Sequence, residues 1–182
     1  MYGVILYGPP ASGKDTVTNR LVSIDPRYRQ FSRAKCGGGR TASYRMITVN
    51  ELESLRVSGD IIWENKRYGA TYIVDKAPLL AITQAGEVPI VHLGQVPAVD
   101  AVKAAIADLK WLVVSLWCPR EVAASRIKQR RTGDTEERFT AWEETEELKE
   151  FDLFIDTSSS SPEQAASLIH QSVVDGRGGR CR

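Results

Sequence analysis

Residues 8–14 read G-P-P-A-S-G-K and follow directly on the apolar run Y-G-V-I-L-Y of residues 2–7. No other feature of the chain restricts its fold as much. Val4, Ile5 and Leu6 suit a short buried strand, and Val17, Leu21 and Val22 recur on one face of a helix that follows the loop. Strand, G-x-x-x-x-G-K and helix together are the phosphate-binding loop, or P-loop. Gly8 and Gly13 bracket a turn made small by Pro9, Pro10, Ala11 and Ser12, so backbone N–H groups converge on phosphate oxygens where the helix dipole favours negative charge. Lys14 adds a point charge for the outer phosphates.

One position departs from the pattern. Asp15 stands where Ser or Thr ordinarily ligates Mg²⁺, and Thr16 follows it. A carboxylate is able to hold magnesium or a magnesium-bound water, so the loop predicts binding of ATP with Mg²⁺ through residues 8–16, with Asp15 and Thr16 as the metal candidates.

The bulk properties narrow the partners. A chain of 182 residues is one domain with room for a good core. With 24 basic and 23 acidic side chains, the net charge of +1 supplies no field for a nucleic acid polymer or an anionic membrane. Three cysteines (Cys36, Cys118, Cys181) lack metal-ligand spacing and fit a reducing, cytoplasmic setting. The N-terminal apolar run is too short for a signal peptide.

Along the chain, residues 27–31 and 44–47 read as strands separated by a glycine-rich loop over 33–40. Thr48 and Glu51 form a capping box for a short helix that Gly59 ends. Ile61–Trp63 and Thr71–Val74 suggest a hairpin. Strand and helix then alternate: a strand over 89–93, a helix through Val99, Val102, Ile106 and Leu109, a buried strand over 111–117, helices over 119–131 and 136–150, a strand over 151–155, and a closing helix from Ser161 to Val174. The pattern predicts a parallel α/β sheet flanked by helices: a core of residues 1–26 and 76–175, a strand-rich insertion over about 27–75, and a tail over 176–182.

This order of motifs resembles the guanylate kinase-like branch of nucleoside monophosphate kinases, over most of the chain. Besides the P-loop, the resemblance rests on Y-R-M-I-T-V-N-E-L (44–52), G-D-I-I-W (59–63), G-A-T-Y (69–72), and R-R-T-G-D-T (130–135) with Arg138. It implies the P-loop kinase fold, with a small mixed β insertion that binds the acceptor and a short lid near 130–138. It further implies catalysis by Lys14 and the lid arginines Arg130, Arg131 and Arg138. The acceptor phosphate would be held by Arg33, Lys35, Arg40, Tyr44 and Tyr72. Guanine kinases read the base with a Glu before the Trp; here the nearest is Glu64, one place off, and an Asp expected after the next strand is replaced around His92 and Gly94.

Transfer to an already ionised phosphate needs cations and positioning rather than a general base, which suits a chain with only two histidines. The leading expectation is ATP-dependent phosphorylation of a nucleoside monophosphate, GMP or a GMP-like acceptor, by a monomer or homodimer. A non-nucleotide acceptor such as ribose 1,5-bisphosphate or a phosphonate is the alternative, since kinases of ribose 1,5-bisphosphate also carry G-K-D-S. A rival of another class is an interaction module that has lost catalysis; an intact Lys14 argues against it.

Overall fold

The structure is a computed structural model that describes residues 1–39, 41–67, 69–129 and 135–176. The first apolar run forms β1 (Tyr2–Tyr7) at the centre of a five-stranded sheet. Its neighbours are β7 (Val88–Leu93) and β8 (Lys110–Trp117); β2 (Tyr28–Gln30) and β9 (Leu153–Asp156) form the edges. Every pairing in this sheet is parallel, so both faces need helices, and the inner strands carry unbroken apolar runs.

Alternation along β1 sends Val4 and Leu6 to one face and Ile5 and Tyr7 to the other. The first pair packs with α1 (Lys14–Ile24) and α7 (Pro162–Val174) through Val17, Leu21, Ala165, Ala166 and Ile169. The second packs with α3 (Lys76–Gln84) and α4 (Val96–Ala105) through Leu79, Val99 and Val102. Helices α5 (Arg120–Gln129) and α6 (Thr135–Glu143) pack together in a separate cluster with Ala11 and Cys118, through Ala123, Ile127, Phe139 and Trp142. Tyr7 donates its hydroxyl to the carbonyl of Glu146 at 2.6 Å, fixing the segment after α6 against the sheet.

A second, mixed sheet has the order β4-β3-β6-β5, from β3 (Ala34–Cys36), β4 (Arg45–Met46), β5 (Ile61–Arg67) and β6 (Ala70–Asp75). Helix α2 (Val49–Ser58) covers one face through Leu52 against Ala34 and Ile73. Its Thr48–Glu51 capping box and its Gly59 stop (φ 69°) are both present.

Several elements differ from the sequence reading. Part of the glycine-rich stretch is the strand β3, because Ala34 and Lys35 have β6 to pair with, and pairing outweighs local composition. Strand β2 belongs to the main sheet, so the small sheet starts at Ala34. Helix α3 follows Asp75 unannounced by any apolar period. Helices α4 and α6 stop at Ala105 and Glu143, earlier than expected. Val22 is exposed, and Thr18 takes its place on the buried face of α1. Trp117 is partly exposed at the end of β8 rather than buried in the core.

Candidate active site

Between the C-terminal ends of β1 and β7 and the uncovered face of the small sheet lies a cleft of about 770 Å³. The P-loop forms its floor. Gly8 follows β1 with φ 151°, and its N–H donates to the carbonyl of Leu93 on β7 at 3.2 Å. A Cβ at Gly8 would lie 2.1 Å from the carbonyl oxygen of Leu116 on β8, so both neighbouring strands confine the turn. Gly13 (φ 94°) is the N-cap of α1. Between them Ala11 takes φ 64°, a left-handed conformation that costs an L-residue about 1 kcal/mol or more and is characteristic of functional loops.

The Lys14 ammonium donates to the carbonyls of Gly8 and Pro9 at 2.6 and 2.8 Å and to Ser12 Oγ at 3.2 Å. These contacts hold it folded over the loop that it serves. Asp15 lines the cleft, whereas Thr16 lines a second depression on the outer side of the loop, with Arg126 and Thr157. Of the two metal candidates, Asp15 alone therefore faces the cleft. No cluster of three or more His, Cys, Asp or Glu able to hold a metal occurs among the described residues.

His92, at the end of β7, connects the loop to the rest of the cleft. Its Nε2 is hydrogen-bonded to Thr18 Oγ1 at 2.7 Å, and its Nδ1 lies 3.5 Å from Asp15 Oδ1. Burial pushes its pKa down to about 3, against the pull of Asp15 and with help from Lys14 and Arg33. The ring is thus neutral at pH 7. The tautomer that satisfies both partners carries its proton on Nδ1, towards Asp15, and accepts from Thr18.

The opposite wall is cationic and aromatic. Tyr44 and Tyr72 pack edge to face with centroids 5.3 Å apart. The Arg33 guanidinium lies 5.8 and 5.5 Å from the two rings, and the Lys35 ammonium 5.5 and 5.4 Å. Lys35 is buried at 1% exposure, unusual for a lysine. All four line the cleft. From the third side Arg138 of α6, almost buried, lines it with Glu137.

Glu64 lies elsewhere. It is exposed on β5, where its carboxylate accepts from Arg56 of α2 at 3.0 and 3.1 Å, and it does not line the cleft. Its neighbour Asn65 does, with Arg67, Gln30 and Gln95, which the sequence reading missed. Arg126 is engaged in holding the loop: it donates to Ala11 O at 3.1 Å, Thr157 Oγ1 at 2.9 Å and Thr157 O at 2.7 Å. Arg40, Arg130 and Arg131 lie outside the described residues.

The model of the chloramphenicol phosphotransferase-like proteins matches residues 53–174, more than half of the chain. The chain belongs to that family. This phosphotransferase also has the guanylate kinase fold. Its structure matches the crystal structure of guanylate kinase from Anaplasma phagocytophilum with a TM-score of 0.66 at 14% identity, covering 100% of this chain and 88% of the other. The crystal structure of APE1195 matches with a TM-score of 0.57 at 18% identity, covering 97% and 96%. No curated protein matches the phosphotransferase in sequence.

Proposed function

We propose that this phosphotransferase moves the γ-phosphoryl group of ATP to a phosphate group on a small acceptor, giving a diphosphate. One observation carries the reading: the Arg33–Lys35–Tyr44–Tyr72 cluster faces the P-loop across a single cleft. Two cations beside two phenols suit an anionic group, and an arginine fork suits phosphate in particular. In this reading Arg33, Lys35 and the tyrosine hydroxyls grip the acceptor phosphate. The P-loop amides and Lys14 hold the donor's outer phosphates, and Arg138 neutralises charge between them. Asp15 would hold Mg²⁺, which when bound offsets the negative charge of the donor phosphates. Nucleoside monophosphates are the first acceptors to consider, with GMP leading on the fold, and phosphorylated sugars follow.

The family's name raises chloramphenicol, a neutral alcohol, as another kind of acceptor. An alcohol must lose a proton to something. His92 is the neutral base nearest the loop, yet both its ring nitrogens face protein groups. The base that an alcohol acceptor would need is then a carboxylate that lines the cleft, Asp15 or Glu137, whereas an ionised phosphate needs none.

The test is ADP release with Mg-ATP against GMP, dGMP, AMP, CMP, UMP, dTMP, ribose 1,5-bisphosphate and chloramphenicol. Turnover of a phosphorylated acceptor supports the reading. Turnover of chloramphenicol alone, or of nothing by a folded protein, overturns it.

A further inference from the structure

The small sheet carries one row of side chains straight across the cleft wall. Lys35 on β3 pairs with Tyr72 on β6, and Tyr72 pairs with Asn65 on β5. Directly paired residues point to the same face, and all three line the cleft. Neighbouring strands are about 4.8 Å apart, so Asn65 stands roughly 10 Å from Lys35, two strand spacings along the row. Gln95, at the N-cap of α4, lines the same cleft, and α4 packs against β5.

Asn65 Oδ1 and Gln95 Oε1 share a further property. Each is buried and accepts no hydrogen bond among the described residues. A buried amide oxygen left in this condition costs stability, and two in one cleft are a mark of function rather than of packing. Both are neutral and, as oxygens, can only accept. The terminal amide torsion is broad and soft, so a small rotation turns either oxygen towards a ligand.

We propose that Asn65 and Gln95 are the acceptor-reading pair, and that they select a phosphate ester whose body presents adjacent hydrogen-bond donors about one row-length from its phosphate. This rests on the proposed function, which puts that phosphate at Lys35 and Tyr72. The donors come either from a base edge, such as ring N–H with an exocyclic amine, or from sugar hydroxyls. A purine with an unprotonated nitrogen at that edge meets lone pair against lone pair and is rejected. Glu64 takes no part, because it points to the other face and is held by Arg56.

The experiment compares the wild type with Asn65→Leu, Asn65→Asp and Gln95→Met. Steady-state kinetics with Mg-ATP are run on GMP, IMP, AMP and ribose 1,5-bisphosphate, with thermal melting of each variant. Calorimetric titration with the same four compounds covers binding without turnover. We expect Asn65→Leu and Gln95→Met to raise the KM or Kd of the preferred acceptor 10- to 100-fold. The KM for ATP stays within twofold. Melting temperature holds or rises, since an orphaned oxygen has gone; a structural role would lower it instead. Asn65→Asp retains the preferred acceptor. GMP ahead of IMP and AMP places the donors on a base; ribose 1,5-bisphosphate ahead of all three places them on a sugar. Either ranking supports the pair, provided the substitutions act on it. If the wild type takes a phosphorylated acceptor and both substitutions leave its KM and Kd within twofold, the pair is refuted while the proposed function stands. A preference for AMP also refutes it. If the wild type neither binds nor turns over any of the four, the pair is refuted; if it also turns over none of dGMP, CMP, UMP and dTMP, the proposed function falls with it.

Discussion

Lys35 and Tyr72 sit directly opposite each other on antiparallel strands, with the lysine ammonium 5.4 Å from the centre of the tyrosine ring. A strand partner thereby becomes a wall of the cleft, and a lysine at 1% exposure is held facing it. Replacing it separates acceptor binding from everything else. Lys35→Met is expected to raise acceptor KM about 10- to 100-fold, as for a lost hydrogen bond to a charged group worth about 1.5–3 kcal/mol. The KM for ATP should not change. Acceptor and ATP titrations at fixed co-substrate decide the matter; an equal rise in both KM values would contradict the assignment.

Lys14 calls for the opposite signature. Lys14→Met is expected to lower kcat about 10²- to 10³-fold, the usual loss for one preorganised group at the developing charge. The far-ultraviolet circular dichroism should be unaltered. A kcat within threefold of the wild type would exclude phosphoryl transfer at this loop.

Gly8 and Gly38 make a matched pair. A methyl at Gly8 meets the Leu116 carbonyl at 2.1 Å and sits at φ 151°, and that carbonyl is fixed backbone in β8. Gly38 has nothing within 4 Å. Gly8→Ala should cost about 3 kcal/mol, roughly 10 °C in Tm for a chain of this size, while Gly38→Ala stays within about 0.5 kcal/mol. Thermal unfolding of the two variants side by side is the check.

How much of this was legible beforehand depended on contiguity. The P-loop needs seven consecutive residues and two flanking elements, so a linear reading finds it whole. The acceptor wall assembles from strands β3, β5 and β6, and no local signal says which face of each looks inward. Arg33, Lys35, Tyr44 and Tyr72, which motif order picked out where periodicity could not, line one cleft. Glu64, the glutamate nearest to the expected place, lies off the cleft for a more specific reason. Strand β5 carries a bulge between Ile61 and Trp63, where two steps on one strand meet one on the other. One extra residue inverts the facing of everything beyond it. Counting from Gly59 therefore cannot give the parity at 64 and 65. Arg126 shows the same limit: only the folded chain brings Ala11 and Thr157 within its reach.

Asp75 and Arg45 provide a prediction about pH. Asp75 is buried and its carboxylate pairs with Arg45 of β4, yet its pKa is raised, because burial outweighs the pull of the guanidinium. A folded-state pKa above the unfolded one means that the unfolded chain gives up this proton first. Its contribution is therefore greatest below the unfolded pKa near 3.8 and is lost as pH rises through the folded value. The stability of Asp75→Asn relative to the wild type should accordingly improve between pH 4 and pH 7 in urea unfolding. Arg45→Met at pH 7 should be the more damaging change, about 3 kcal/mol or more, since it leaves a buried carboxylate without its cation. A relative stability that moves the other way with pH would mean that pairing, not burial, governs Asp75.

Arg126 has a mechanical consequence. Through one guanidinium, helix α5 grips the carbonyl of Ala11, the described P-loop residue outside glycine that sits at positive φ, and also the turn after β9. A bond to a strained peptide acts as a lever. The backbone between Gly8 and Gly13 is therefore tied at Ala11 to α5 and to the turn after β9 at once. The shape of the loop is thus set in part by a side chain from a helix more than a hundred residues away in sequence.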